Sequence, residues 1–238
     1  MNHAIVIAAG SGRRMGQDIP KQFINVIDRP VIIYTLEGFQ KHPEIGEISV
    51  VCLAGWETAL SAYAKQFGIT KLARIVPGGA TGQESIRNGV FALEGVAKPD
   101  DLAVIHDGIR PLVQDEVLTD VLRVARERGN AVTAMPYNEQ IFVADDGEST
   151  VRYIPRDTVR RVATPQAYRY DLLLRSYREA FEKGIGITGP AYANTMMADL
   201  GVRLYFAAGS DRNIKLTTQA DLDFFKATLA AAPRPDAP

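Results

Sequence analysis

Short apolar runs alternate along the chain with stretches whose hydrophobic residues recur every three to four positions. This alternation is the mark of a mostly parallel sheet covered by helices. Strands are expected at Ala4–Ala8, Ile48–Leu53, Ala73–Val76, Leu102–His106, Ala131–Met135 and Arg203–Ala207. Helical spacing joins Ile32, Leu36 and Phe39; Trp56, Leu60, Tyr63 and Phe67; Ile86, Val90 and Leu93; and Leu118, Val121, Leu122 and Ala125. Thr81 with Glu84 three residues later fits a capping box, so a helix should begin just after Gly78-Gly79. Leu222, Phe225 and Leu229 mark a last helix opened by Thr218. The expected fold is a single α/β domain with helices on both faces of the sheet.

One stretch breaks the rhythm. Between about 138 and 164, Ile141-Phe142-Val143 and Val151-Arg152-Tyr153-Ile154 flank Asp145-Asp146-Gly147, which reads as a hairpin turn. A two-stranded ribbon outside the main sheet is marginal alone, so this protruding β-arm is read as a dimerisation element. A loop folded back onto its own domain is the competing reading. Residues 231–238, rich in alanine and proline, are expected to be a flexible tail.

The first strand empties into Ala9-Gly10-Ser11-Gly12-Arg13-Arg14-Met15, with Pro20-Lys21-Gln22 shortly after. Glycines such as Gly10 and Gly12 let backbone N–H groups approach phosphate oxygens, and Arg13, Arg14 and Lys21 add fixed positive charge. The run reads as a polyphosphate cradle. It is neither the dinucleotide G-x-G-x-x-G, because Met15 stands where glycine is needed, nor a Walker A loop, because no Gly-Lys-Ser/Thr occurs.

Composition narrows the setting. The 238 residues, 46% hydrophobic and 23% charged, are ordinary for a globular enzyme. A formal net charge of −1 argues against a general nucleic-acid surface. Cys52 is the only cysteine, which excludes an intrachain disulfide and a cysteine-based zinc site. No run reaches the roughly 18 apolar residues of a membrane span, and no export signal opens the chain, so a cytoplasmic location is expected.

Leu102 to Arg110 delivers Asp107 to a strand's carboxyl end, the edge where open α/β sheets bind ligands. Facing a polyphosphate cradle, Asp107 suits a magnesium ion, which is held by one or two carboxylates plus substrate phosphates. The alternative is that Asp107 caps a turn and pairs with Arg110. His106 reads as a satisfied strand-end histidine, with a general-base role open but unneeded. Val76-Pro77-Gly78-Gly79-Ala80-Thr81 and Gly209-Ser210-Asp211-Arg212-Asn213-Ile214-Lys215 add two more loops at strand ends, which argues for convergence on one site.

Five motifs in order now resemble a known family. Ala8-Ala9-Gly10-x-Gly12-x-Arg14-Met15, Pro20-Lys21-Gln22-Phe23, His106-Asp107-x-x-Arg110-Pro111, Thr164-Pro165-Gln166 and Asn213-Ile214-Lys215 look like the cytidylyltransferases that act on polyol phosphates. That family includes the 2-C-methyl-D-erythritol 4-phosphate enzymes of isoprenoid synthesis and the ribitol-5-phosphate enzymes of cell-envelope polymers. The resemblance implies a Rossmann-like nucleotidyltransferase domain over residues 1–230, acting on CTP and a polyol phosphate with Mg²⁺. It further implies that Arg14, Lys21 and Lys215 are catalytic, with Lys215 on the acceptor phosphate. Ala8, Ala9, Gly10, Gly12, Gly79 and Ser85 would frame the nucleotide. Asp107 would bind magnesium, with Asp211 as a second ligand candidate. Arg156 and Thr164 from the arm, together with Thr188, would complete the acceptor pocket across a homodimer.

Three departures touch the acceptor side. Gly82 stands where many relatives carry arginine, Thr188-Gly189-Pro190-Ala191-Tyr192 replaces a Thr-Asp-Asp or Thr-Asp-Glu pattern, and Arg160-Arg161 precede Thr164. Methylerythritol phosphate is the first expectation for the acceptor, and ribitol 5-phosphate or another envelope polyol phosphate is the second. A sugar-1-phosphate nucleotidyltransferase and a nucleotide-binding regulator without turnover are the competing classes.

Overall fold

The computed structural model describes residues 1–11, 19–189 and 192–231. In chain order the elements are β1 (Asn2–Ala8), β2 (Asn25–Val26), β3 (Arg29–Pro30), α1 (Val31–Lys41), β4 (Ile45–Cys52), α2 (Glu57–Gln66), β5 (Leu72–Pro77), α3 (Gly82–Phe91), β6 (Leu102–Asp107) and α4 (Asp115–Arg128). They continue with β7 (Asn130–Pro136), β8 (Ile141–Phe142), β9 (Tyr153–Ile154), β10 (Arg160–Arg169), α5 (Tyr170–Lys183), α6 (Ala193–Asp199), β11 (Phe206–Ala208) and α7 (Gln219–Ala231). Seven strands form one sheet in the order β11-β7-β10-β6-β1-β4-β5. β1 runs parallel to β4 and β6, β4 to β5 and β7 to β11, whereas β10 is antiparallel to both of its neighbours.

Alternation along β1 sets the layers, because successive side chains of a strand point to opposite faces. Ala4, Val6 and Ala8 join the core under α1, α2 and α4. Ile5 joins the opposite core, built with Ile86 and Val90 of α3, Leu173 and Tyr177 of α5, and Met196 of α6. A third, smaller core seats Leu222 and Phe225 of α7 against Val26 and Val31. The α/β class with helices on both faces is therefore as expected. Among the described residues, no helix is long and apolar enough to cross a membrane.

All six expected strands form, the sixth shorter and later, at Phe206–Ala208. The Thr81 capping box is present: its side chain accepts from Glu84 N, and Glu84 Oε2 accepts from Thr81 N. Thr218 opens α7 in the same reciprocal way with Asp221.

Five elements were not expected: β2, β3, β10, α5 and α6. The expected arm, about 138 to 164, divides in two. β8 and β9 pair as a separate ribbon, turned at Asp145–Gly147, where Asp146 Oδ1 accepts from Glu148 N and Ser149 N. Residues 160 to 164 instead belong to β10, inside the main sheet. The expected tail lies outside the described residues apart from Ala231, which ends α7.

Gly89 fixes how closely α3 approaches the sheet. A Cβ there would lie 2.6 Å from Ile5 Cγ2 and 2.8 Å from Val51 Cγ2, nearer than van der Waals contact. Gly89→Val should therefore destabilise the protein by about 1–3 kcal/mol through overpacking. A urea midpoint equal to the parent's would contradict this packing.

Candidate functional site

The carboxyl ends of β1, β5 and β6 share one edge of the sheet, and the antiparallel β10 brings its amino-terminal half to that same edge. A cavity of about 470 Å³ opens there, lined by Ala8, Gly10, Ser11, Lys21, Gln22, Gly82, Asp107 and Lys215. Gly12 and Arg14 lie outside the described residues. The shape of the first loop rests on Gln22, which is 1% exposed. Its Nε2 donates to the carbonyls of Ala8, at 2.8 Å, and Gly10, at 3.0 Å, so the strand end and the loop are held by one amide. Gln22 sits in the one-turn 3-10 helix Lys21–Phe23, which places Lys21 beside that loop.

Asp107 ends β6 and is the junction of the site. Arg110 Nε donates to its Oδ2 at 3.0 Å, and Lys215 Nζ lies 3.2 Å from the same oxygen. Burial by itself would raise the Asp107 pKa, but the charges of Lys215 and Arg110 outweigh it and hold the carboxyl below the usual carboxylate range. The pairing of Asp107 with Arg110, the alternative reading of the sequence, is thus present. Arg110 Nη1 donates onward to the carbonyl of Asn213 at 2.8 Å, Asn213 Nδ2 donates to the carbonyl of Thr164 at 2.6 Å, and Leu216 N donates to the carbonyl of Ile109 at 2.9 Å. These bonds hold the loop that carries Lys215 against the end of β6.

Thr164 itself sits where the ladder between β10 and β7 breaks, between Ala163 and Gln166. Proline cannot donate to a ladder, so Pro165 forces an interruption. The Thr164 hydroxyl then accepts from Asp107 N at 3.1 Å. Thr164 is accordingly in the main sheet and not on the ribbon, and its hydroxyl serves its own chain.

The second glycine loop packs on the first. A Cβ on Gly78 would lie 2.6 Å from Ala9 Cβ, and one on Gly79 2.3 Å from Glu84 Cβ, so neither position has room for a side chain. Ser85 is buried and already engaged, accepting from Gly79 N at 3.0 Å and donating to the carbonyl of Thr81 at 2.9 Å. It braces the loop and keeps one lone pair in reserve.

A second cavity, of about 290 Å³, adjoins the first and shares Asp107 and Lys215 with it. Its walls are Arg110, Val162, Ala163, Thr164 and Gln166 on one side and Tyr192, Asn194 and Thr195 on the other. The Tyr192 ring lies 5.6 Å from Lys215 Nζ. Thr188 is exposed and lines neither cavity; the segment that does so begins four residues later. Arg156 is also exposed, and its guanidinium donates to the carbonyl of Asn138 at 3.3 Å. Asp211 is not beside Asp107: it pairs with Arg161 at a neighbouring cavity. Among the described residues, no three His, Cys, Asp or Glu side chains gather as a metal cluster.

Sequence reasoning assigned no role to Gln22, Gln83, Asn194 or Asn213, and gave Arg110 only the pairing with Asp107. Arg110 carried a signal, its i+3 spacing from Asp107. Gln83 carried none: it is buried in α3, its Nε2 donates to the carbonyls of Gly186 and Tyr192, and its Oε1 accepts from the Tyr177 hydroxyl. The expectation of a satisfied strand-end histidine holds for one ring nitrogen of His106 only: Nδ1 is buried with no hydrogen-bond partner among the described residues. Its Nε2 lies 3.1 Å from the Arg110 carbonyl, and burial pushes its pKa down to about 4.

A depressed histidine pKa gives stability that is complete above the unfolded value of 6.5 and is lost as pH falls toward about 4. His106→Gln should remove about 2 kcal/mol of the stability lost between pH 7 and pH 5, read from urea unfolding at the two values. An unchanged pH dependence in the variant would contradict a neutral buried imidazole.

The likenesses of this chain agree with that geometry. Residues 2–231 match the family model described as IspD: 2-C-methyl-D-erythritol 4-phosphate cytidylyltransferase. A ribitol-5-phosphate cytidylyltransferase of Lacticaseibacillus paracasei is 54% identical over 226 residues, covering 95% of this chain and 97% of that protein. A 2-C-methyl-D-erythritol 4-phosphate cytidylyltransferase of Clostridium novyi is 35% identical, covering 96% of each chain. The crystal structure of 4-diphosphocytidyl-2C-methyl-D-erythritol synthase from Anaerococcus prevotii superposes with a TM-score of 0.80 at 25% identity, over 96% of this chain and 97% of that one. With two linked cavities at the carboxyl edge of the sheet and likeness along nearly its whole length, the chain belongs to the IspD family of CTP-dependent cytidylyltransferases.

Proposed function

We propose that the chain transfers CMP from CTP to ribitol 5-phosphate, releasing pyrophosphate and CDP-ribitol. The observation that carries this reading is the 54% identity to a ribitol-5-phosphate cytidylyltransferase, against 35% to a methylerythritol phosphate enzyme. The motif set alone put methylerythritol phosphate and isoprenoid synthesis first; the balance of likeness favours the second expectation, an envelope polyol phosphate. Gly82, residues 188–192 and Arg160-Arg161 then read as differences of acceptor rather than loss of activity.

The nucleotide belongs in the larger cavity, with its phosphates against the Gly10–Ser11 backbone and Lys21, and its base and ribose toward Ala8, Ala9, Gly79 and Ser85; the part that the family resemblance gives Arg14 falls outside the described residues. The acceptor belongs in the smaller one, its phosphate toward Lys215 and Arg110. A phosphate monoester has its second pKa near 6, so its oxygen is already a nucleophile at neutral pH and needs no catalytic serine, cysteine or histidine. Attack on the α-phosphorus forms the new P–O bond as pyrophosphate leaves. The protein's share of the work is to align the two phosphates and neutralise charge.

Asp107 suits Mg²⁺. It is an ionised carboxylate that lines both cavities, and magnesium needs only one or two carboxylates beside substrate phosphates. The ion would neutralise phosphate charge there. Asp211, paired with Arg161, is left out of this assignment.

We further propose that the β8–β9 ribbon joins two copies of the chain. It leaves Phe142 and Tyr153 exposed as a cross-strand pair, beside a fully open Val151, and an isolated hairpin is marginal in water. Arg156 then serves the partner's acceptor cavity, since it lines neither cavity of its own chain.

Pyrophosphate release should require CTP, magnesium and a polyol phosphate, with ribitol 5-phosphate used ahead of methylerythritol 4-phosphate and glycerol 3-phosphate. Preference for methylerythritol 4-phosphate would refute the acceptor assignment, and use of UTP with a hexose 1-phosphate would refute the reaction class. Lys21→Ala should lower kcat by about 10²–10³. Sedimentation should show a dimer at micromolar concentration that Tyr153→Glu dissociates; a monomeric parent would remove the proposed part of Arg156.

A further inference from the structure

We propose that Asn194 determines which polyol phosphate this chain accepts, by hydrogen-bonding a hydroxyl group on the acceptor's carbon chain. The inference rests on the reading above that the acceptor occupies the smaller cavity.

Asn194 is 7% exposed and lines that cavity from α6. Its Oδ1 is buried and has no hydrogen-bond partner among the described residues. Polar groups that could have paired with it are committed elsewhere. Gln83 uses both hydrogens of its Nε2 on the carbonyls of Gly186 and Tyr192 and its Oε1 on Tyr177. Gln166 Nε2 donates to the Ala163 carbonyl at 3.4 Å, and the Thr195 hydroxyl donates to the Tyr192 carbonyl. The Gln83 and Thr195 bonds converge on the Tyr192 carbonyl, where α6 begins, so Asn194 is held at the cavity wall.

A buried amide oxygen without a partner lowers the stability of the free protein, and native structures carry few such groups. A hydroxyl both donates and accepts, so it satisfies the carboxamide whichever way its flat end is turned. The cavity divides by chemistry in the same sense. Its cations, Arg110 and Lys215, suit a phosphate, while Asn194, Gln166, Thr164 and Thr195 are the neutral donors and acceptors that a chain of hydroxyls needs. An acceptor that lacks the matching hydroxyl leaves Asn194 unpaired in the complex as well, and sites built this way reject such analogues strongly.

The test compares the parent, Asn194→Ala and Asn194→Ser across ribitol 5-phosphate and its monodeoxy analogues, one hydroxyl removed at a time. The parent should disfavour one analogue by roughly 10²-fold or more in kcat/KM. In both variants that preference should collapse toward unity, through a raised KM for ribitol 5-phosphate with KM for CTP unchanged. The melting temperature should hold or rise, because an unsatisfied buried group has been removed. A parent-like preference in the variants would overturn the proposal. So would a lower melting temperature with equal loss on every acceptor, the mark of a merely structural residue. If the parent uses a different polyol phosphate, the acceptor assignment fails alone, and the monodeoxy series of that acceptor tests Asn194 in the same way. Silence with every polyol phosphate would overturn both.

Discussion

Asp107 stands at the end of a strand buried in the middle of the sheet, and two cations from different parts of the chain meet on one of its oxygens. Arg110 comes from the same turn and Lys215 from a loop about a hundred residues later. Each would be an isolated charge at a partly desolvated sheet edge without the carboxylate. Breaking such a pair by removing one partner typically costs about 3–5 kcal/mol, because the remaining charge is left uncompensated. The arrangement also keeps two positive groups beside a cavity wide enough for a nucleotide without letting them repel one another apart. Both cavities share Asp107 and Lys215, so the charges that hold the loops are those that two phosphates would meet.

Around this charged junction the bracing is done by neutral side chains on backbone groups. Gln22 holds the carbonyls of Ala8 and Gly10, Thr164 takes the N–H of Asp107, Asn213 takes the carbonyl of Thr164, and Gln83 ties the start of α3 to the segment before α6. None of these bonds is long-range in the electrostatic sense. Together they convert loops, which are ordinarily the mobile parts of a fold, into fixed walls. Catalysis by positioning needs that rigidity, since in-line transfer between two phosphates depends on alignment more than on an activated nucleophile.

The sheet was legible because its strands are buried runs of Val, Ile and Ala, and α1, α3 and α4 because their apolar stripes repeat at helical spacing. β10 was hidden. It opens with two arginines and carries Pro165, so neither alternation nor an apolar run marks it, and its place in the sheet is fixed by neighbours on both sides. The charged part of the site was readable at Lys21, Asp107 and Lys215, because each stands at or shortly after the end of an apolar run. Gln83 and Asn194 were not, because an amide inside a helix has no local signature, and its meaning comes from which distant carbonyls lie within reach. Thr188 shows the converse: its neighbourhood in the sequence suggested ligand contact, whereas its side chain faces solvent.

The proposed function makes Asp107 the group that both assembles the site and meets the substrate's charge. Single-turnover pyrophosphate release by Asp107→Asn, at saturating CTP, magnesium and polyol phosphate, measures that directly. The predicted result is a rate lower by about 10²–10³ that added magnesium does not restore, in a protein that remains folded. A rate close to the parent's would contradict it and place the centre of the chemistry elsewhere.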